Sequence, residues 1–343
     1  MFEFQKTILN DLKFEGVGLH TGTISNITIK PAKENTGIVF HRIDFQKPIK
    51  IKAEIANVVE CNRGTTIGIN NVKIYTIEHL LSALTGLGID NVIIEINNIE
   101  PPILDGSSKL FVEKILEVGI REFSKIKKYI KILDSINYYD QENDVHIQIN
   151  PSDDFSISFD AEYSFGNIGK QSFELNSMKD YVNEISLART FCSLNELKFL
   201  KNNKLIKGGN LDNALVFLDK KNNKNDIKKI REIFNVNIND GNKTMVLNDK
   251  KLRYYNEPVR HKILDLIGDF SLLGYSIIGQ IHSIKGGHDS NIKTIKVINE
   301  LIKKNFVLDK VGIKGIIPHR DPFLLIDQII ARTKKHVCAI KHI

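Results

Sequence analysis

The sequence predicts an α+β protein made of two related halves, and three observations carry that prediction. Strand-like runs at Ile24–Lys30, Gly37–Arg42 and Asn91–Asn97 alternate with helical patterns at 76–87 and 106–119, and the same scheme recurs over 128–300. A short basic stretch, Lys125-Ile126-Lys127-Lys128, separates the two series and reads as a linker. An internal echo relates them: His79 precedes Gly88 by nine residues, Asp265 precedes Gly274 by nine, and a strand follows in both cases (NVIIEI, SIIGQI). A chain of 343 residues is also long for a single core. The expected divisions are 1–124, 125–306 and 307–343.

In the first half, His20 lies in a glycine-rich turn between strand signals and reads as structural or supporting. Asp105 precedes the second helix and reads as its cap, outside any site. Thr76 is the expected cap of the first helix. In the second half, strands are expected near 129–133, 145–149 and 155–163, with a helix near 193–202. A further helix runs from Glu257, with Asn256 as N-cap, Pro258 in its first turn and Gly274 as the stop. A strand at 276–284 and a closing helix from about 289 follow. Residues 219–247 are polar and lysine- and asparagine-rich, and read as a surface insertion. They lack the interleaved aromatic residues that stack bases, so a nucleic-acid patch is not expected.

Hydrophobic content of 42% and charged content of 26% are those of a globular protein. No apolar run approaches the roughly 18 residues of a membrane span, and the N-terminus is not a signal peptide. Cys61, Cys192 and Cys338 show neither metal nor disulfide spacing, which suits a reducing cytoplasm. The charge of +7 fits an anionic partner, although most of the excess is read as solvated lysine in loops.

Two short patterns carry the chemistry. On a helix from Glu257, His261, Asp265 and Asp269 fall within roughly 80° of one another, beside an apolar face. A His and an Asp at i, i+4 can share one metal ion. Upstream, Glu78 and His79 point about 100° apart, so one can bind metal while the other reaches the water to be activated. His79, His261 and Asp265 as ligands with Glu78 as base would suit a zinc hydrolase. Yet an HxxxD pair is ordinarily a surface or capping pair, and spacing alone leaves both readings open.

The stretches TIEHLLSALTGLGIDN (76–91) and VRHKILDLIGD (259–269) resemble the two metal-binding motifs of the UDP-3-O-acyl-N-acetylglucosamine deacetylases of lipid A biosynthesis. The likeness continues in GVGLHTG (16–22), PILDGSS (102–108), ARTF (188–191), GGNLDNALV (208–216) and GGH (286–288), in the family's order over about residues 5–300. The resemblance implies two similar two-layer β-α-α-β sandwich domains facing each other across a zinc site. It implies hydrolysis of the N-acetyl amide of UDP-3-O-(3-hydroxyacyl)-N-acetylglucosamine, the committed step of lipid A biosynthesis, in the cytoplasm. The implied zinc ligands are His79, His261 and Asp265, with Glu78 as general base. His288 would stabilise the oxyanion and protonate the amine, Asp269 would orient it, and Thr190 would stand near the oxyanion. Lys262 corresponds to a diphosphate-binding lysine, Phe191 to a residue lining the substrate passage, and about 191–218 to an insert forming an acyl tunnel. Arg189 and Arg260 are expected to brace the fold through carboxylates. No nucleic-acid, membrane-spanning or obligate protein partner is implied.

GIIPHRDPFLLID (315–327) resembles the opening motif of the hot-dog 3-hydroxyacyl-[acyl carrier protein] dehydratases, in which the motif's histidine, here His319, is catalytic. The partner carboxylate comes from a later helix in that family, so 307–343 reads as an incomplete hot-dog fragment of a deacetylase–dehydratase fusion cut short. A dehydratase and a catalytically inactive binding module are the alternatives. Retention of residues 78, 79, 261, 265 and 288 argues against the inactive one.

Overall fold

The computed structural model describes residues 3–166, 168–202, 205–218, 246–247, 250–321, 323–333 and 336–341. Two five-stranded sheets dominate it. The first runs, in spatial order, Leu12–Val17, Ile24–Pro31, Val92–Ile96, Ile38–Arg42 and Ile49–Lys52. The second runs Ile136–Asp140, Val145–Asn150, Gln280–Ile284, Ser156–Tyr163 and Gly169–Leu175. Successive pairings in each are antiparallel, antiparallel, parallel and antiparallel, so the two sheets share one topology. Period-2 alternation puts Ile27 and Ile29, and Val92, Ile94 and Ile96, on the covered face of the first sheet.

The α-helices among the described residues are α1 (Glu78–Gly86), α2 (Lys109–Val118), α3 (Tyr181–Glu184), α4 (Leu194–Asn202), α5 (Glu257–Phe270), α6 (His288–Leu301) and α7 (Lys310–Ile316). Helix α2 packs on the first sheet, α5 and α6 on the second, and α1 lies along α5. One continuous hydrophobic core holds residues of both sheets and of these helices. Every residue of α5 except Lys262 is buried, since α1, α6 and the second sheet all press on it.

Two glycines make the helix packing possible. A Cβ on Gly268 would stand 2.2 Å from the Glu78 carbonyl oxygen, and one on Gly86 would enter the Tyr181 ring at 2.1 Å. The first contact decides the site: glycine at 268 lets the end of α5 touch the beginning of α1.

Several local expectations need correction. The N-cap of α1 is Ile77, not Thr76, which sits at φ +53 and turns its hydroxyl to Glu100. Asp105 does not cap α2, which begins at Lys109; its carboxylate accepts from Ser107 and from Arg253 instead. Asn256 is the N-cap of α5, but its side chain takes the Arg260 Nε–H rather than a backbone amide. The expected strand 276–284 breaks at Gly279 into Ser276–Ile278, paired with Tyr129–Lys131, and Gln280–Ile284 in the second sheet. The basic stretch read as a linker is the end of strand Ile120–Ile126 followed by a buried Lys127, held by Glu3 and the Gly88 carbonyl. The insertion read at 219–247 lies outside the described residues except for Val246 and Leu247.

Beyond α6, Leu308–Asp309, Gln328–Arg332 and Val337–Ile340 form a three-stranded antiparallel sheet. Ile330 and Ile340 of this sheet pack on Tyr129, with Ile126, Ile278 and Cys338 alongside, so the body of the protein supplies the covering surface. His319 is exposed. No helix among the described residues is long and apolar enough to cross a membrane.

Candidate metal and hydrolytic site

The site forms where the start of α1 meets α5. Thr76 at positive φ is strained backbone for a β-branched residue, and its surroundings hold it there. The fully buried Glu100 accepts the Thr76 hydroxyl at 2.7 Å, the His20 amide at 3.0 Å, and the amide and hydroxyl of Thr21 at 2.9 and 2.7 Å. One carboxylate thereby ties the His20 turn to the entry of α1 and aims Glu78 and His79 inward. His20 is a supporting residue, its Nδ1 on the Leu205 carbonyl at 2.8 Å.

His79, His261 and Asp265, whose convergence spacing alone left open, come together. Their ligand atoms lie within 4.8 Å of one another, all three residues being buried. Asp265 Oδ1 stands 3.3 Å from His261 Nε2 and 3.8 Å from His79 Nε2. The Nδ1 of His261 donates to the Ala188 carbonyl at 3.0 Å, which fixes the tautomer and leaves the Nε2 lone pair facing the carboxylate. His79 Nδ1 is buried without a hydrogen-bond partner among the described residues.

Burial pushes His79 down to about 3, with His261 adding to the effect, and burial lowers His261 as well. Both imidazoles are therefore neutral and can act as ligands. Burial alone would raise Asp265, but Lys262, with His288 3.9 Å away, holds its carboxyl well below the usual range. Two neutral nitrogens and one carboxylate oxygen facing a common point are the donor set of a three-ligand metal site. Lys262 Nζ lies 2.9 Å from Asp265 Oδ2 and 5.8 Å from the centre of the Phe191 ring.

Two proton-handling groups flank this cluster. Burial pushes Glu78 up to about 7, against the pull of His288. Its Oε2 accepts the Thr65 amide at 2.9 Å, and its Oε1 lies 4.0 Å from His288 Nε2. Burial works against a charge on His288, but Asp269, whose Oδ2 accepts the Nδ1–H at 2.9 Å, outweighs it and raises the imidazole to about 10. Asp269 also accepts the Thr65 hydroxyl and the Asn291 amide.

The remaining residues singled out in the sequence stand close by. Phe191 is half-buried in an aromatic cluster with Tyr163, Phe165 and Phe217, its ring 6.0 Å from that of His261. Thr190 is fixed through its backbone to Gly106 and Leu215, two residues from the carbonyl that orients His261. Arg189 binds Glu257, and Arg260 binds Glu184 and Asn256. Leu194, Leu197, Leu200, Val216 and Leu218 of the 191–218 segment form a second core with Leu19 and Ile103. Thr65, Glu100 and Asn291 were not anticipated. Nothing in their local sequence signals a role; only the meeting of distant segments does.

The chain matches the family model described as "LpxC: UDP-3-O-acyl N-acetylglycosamine deacetylase" over residues 5–240 and 235–300. It belongs to this family. A relative in Chlorobaculum tepidum named "Bifunctional enzyme LpxC/FabZ" is 38% identical over all of this chain and 77% of its own length. One of the same name in Bacteroides thetaiotaomicron is 35% identical over 99% of the chain and 76% of its length. A "UDP-3-O-acyl-N-acetylglucosamine deacetylase" of Geobacter sp. strain M21 is 37% identical over 88% of the chain and 90% of its length. The alignments with bifunctional relatives thus run through the C-terminal sheet as well. The protein is an enzyme of the deacetylase family of lipid A biosynthesis.

Proposed function

We propose that the chain hydrolyses the N-acetyl amide of UDP-3-O-(3-hydroxyacyl)-N-acetylglucosamine, releasing acetate and the free amine, with Zn2+ held by His79, His261 and Asp265. The observation that carries the reading is the convergence of three buried ligand atoms within 4.8 Å, with Glu78 and His288 on either side. The fit to zinc rests on the donors: two neutral imidazoles, one with its tautomer set by Ala188, and one ionised carboxylate. Zinc there would supply Lewis acidity, polarising the amide carbonyl and acidifying water.

The chain's own residues do the rest. Glu78, lifted to about 7 by burial, is matched to neutral pH as a general base, and takes a proton from the attacking water as its oxygen bonds to the carbonyl carbon. His288, kept cationic by Asp269, stabilises the charge developing on the carbonyl oxygen. As the C–N bond breaks, the His288 proton passes to the leaving nitrogen, and the amine and acetate separate. Thr190 adds a hydroxyl near the oxyanion, Lys262 meets the diphosphate, and Phe191 lines the passage. The apolar 191–218 segment takes the acyl chain.

We assign 1–124 and 125–306 to two sandwich domains facing each other across this site, and 307–343 to a dehydratase-like hot-dog segment. The enzyme works in the cytoplasm, without an obligate protein partner. The test is metal content and amide hydrolysis on one preparation, before and after chelation and zinc return. About one zinc per chain is expected, with activity lost on chelation and restored by zinc. Hydrolysis that survives chelation, or a chain without tightly held zinc, overturns the reading.

A further inference from the structure

We infer that Thr65 is a positioning residue that sets the proton acceptor and the proton donor of the site against each other, an inference that deepens the proposed hydrolysis and rests on it. Thr65 is fully buried and hydrogen-bonds to both converging helices, and its hydroxyl also lies 3.4 Å from His288 Nδ1. Its carbonyl accepts the Ile77 amide at 3.3 Å, at the entry of α1. Its amide donates to Glu78 Oε2 at 2.9 Å, and its hydroxyl donates to Asp269 Oδ1 at 2.5 Å.

The division of the Asp269 carboxylate gives the hydroxyl its role. Oδ2 is shared by His288 Nδ1 and Asn291 Nδ2, whereas Thr65 is the donor to Oδ1 among the described residues. A carboxylate held through one oxygen can turn about its χ2 torsion, and the imidazole bonded to it turns too. Held through both, it fixes the direction in which His288 Nε2 points, towards Glu78 4.0 Å away. The same residue grips Glu78 through its amide, so acceptor and donor share one rigid support.

The experiment compares Thr65→Val, which deletes the hydroxyl and keeps the shape, with Thr65→Ser, which keeps the hydroxyl. In zinc-loaded enzyme, T65V should lower kcat roughly 10- to 100-fold with KM unchanged, the effect of losing a hydrogen bond to a charged group. T65S should stay within about threefold of the parent, and in an Asp269→Asn background T65V should add less than about twofold. In the metal-free protein, the NMR resonance of the His288 Nδ1 proton should move in T65V and not in T65S.

Unchanged kcat in T65V, a loss confined to KM, equal losses in T65V and T65S, or a full multiplicative loss in the double variant overturns the inference. If T65V folds too poorly to assay, Thr65→Ala set against T65S gives the same contrast. A parent without zinc-dependent hydrolysis would remove the functional reading, while the proton resonance would still decide whether Thr65 orients His288.

Discussion

Helix α5 carries two buried polar clusters, and they are built on opposite plans. At its first residue, Glu257 accepts the amide, Nε and Nη2 of Arg189 and the amide of Arg253, so each carboxylate oxygen is matched to donors. Two turns later, Asp265 faces two imidazoles that burial keeps neutral, and His79 Nδ1 has no hydrogen-bond partner among the described residues. A matched buried ion pair needs nothing further and reads as a brace. Ligand-type atoms within 4.8 Å of one another, beside a carboxyl raised to about 7 and an imidazole raised to about 10, form instead the pattern that makes a site candidate.

The strongest way to break this comparison is to cut each cluster once. His79→Ala or Asp265→Ala should abolish zinc retention and lower hydrolysis more than about a thousandfold. Glu257→Ala should instead strand Arg189 in the core and destabilise the fold by roughly 3–5 kcal/mol. Zinc content and urea unfolding of the same preparations separate the two, and similar behaviour of both would dissolve the distinction. Glu78→Gln tests the flank: zinc is retained and kcat falls roughly 100- to 10,000-fold. A Gln variant turning over at the parent rate would remove Glu78 from its role.

Asp269→Asn sharpens the electrostatic side. The folded-state pKa of His288 is raised, so the stability it contributes is fully present below its unfolded value near 6.5, and disappears as pH rises through about 10. Metal-free parent should therefore lose stability relative to D269N between about pH 7 and pH 10. Parallel stability curves would show that Asp269 does not raise the His288 imidazole. The smallest effect is expected at the exposed His319: His319→Ala should leave deacetylation within about twofold of the parent.

Which polar residues share a helix face was readable because helix geometry is local, while the family was readable from the resemblance of the motifs. His261, Asp265 and Asp269 share a face by their spacing, and Glu78 and His79 diverge by adjacency. Readings of single polar residues beside elements fared worse. Thr76 and Asp105 look like caps, and Lys127 like part of a linker, yet each is claimed by a partner distant in sequence: Glu100, Arg253 and Glu3 respectively. Capping preference is worth about 1 kcal/mol, and a tertiary partner for a buried polar group outweighs it.

By itself the sequence showed the alternation of strands and helices, the shared face of His261, Asp265 and Asp269, and, through the resemblance of seven ordered motifs, the family, because periodicity, short spacings and motifs are properties of neighbouring residues. Only the tertiary structure decided that a glycine contact at 268 brings Glu78 beside Asp269, and that Thr65 and Asn291 complete the carboxylate. It also decided that the last sheet borrows Tyr129 for its core. Those are contacts between segments tens to hundreds of residues apart. No local pattern encodes them, because their energies exist only once the chain has packed.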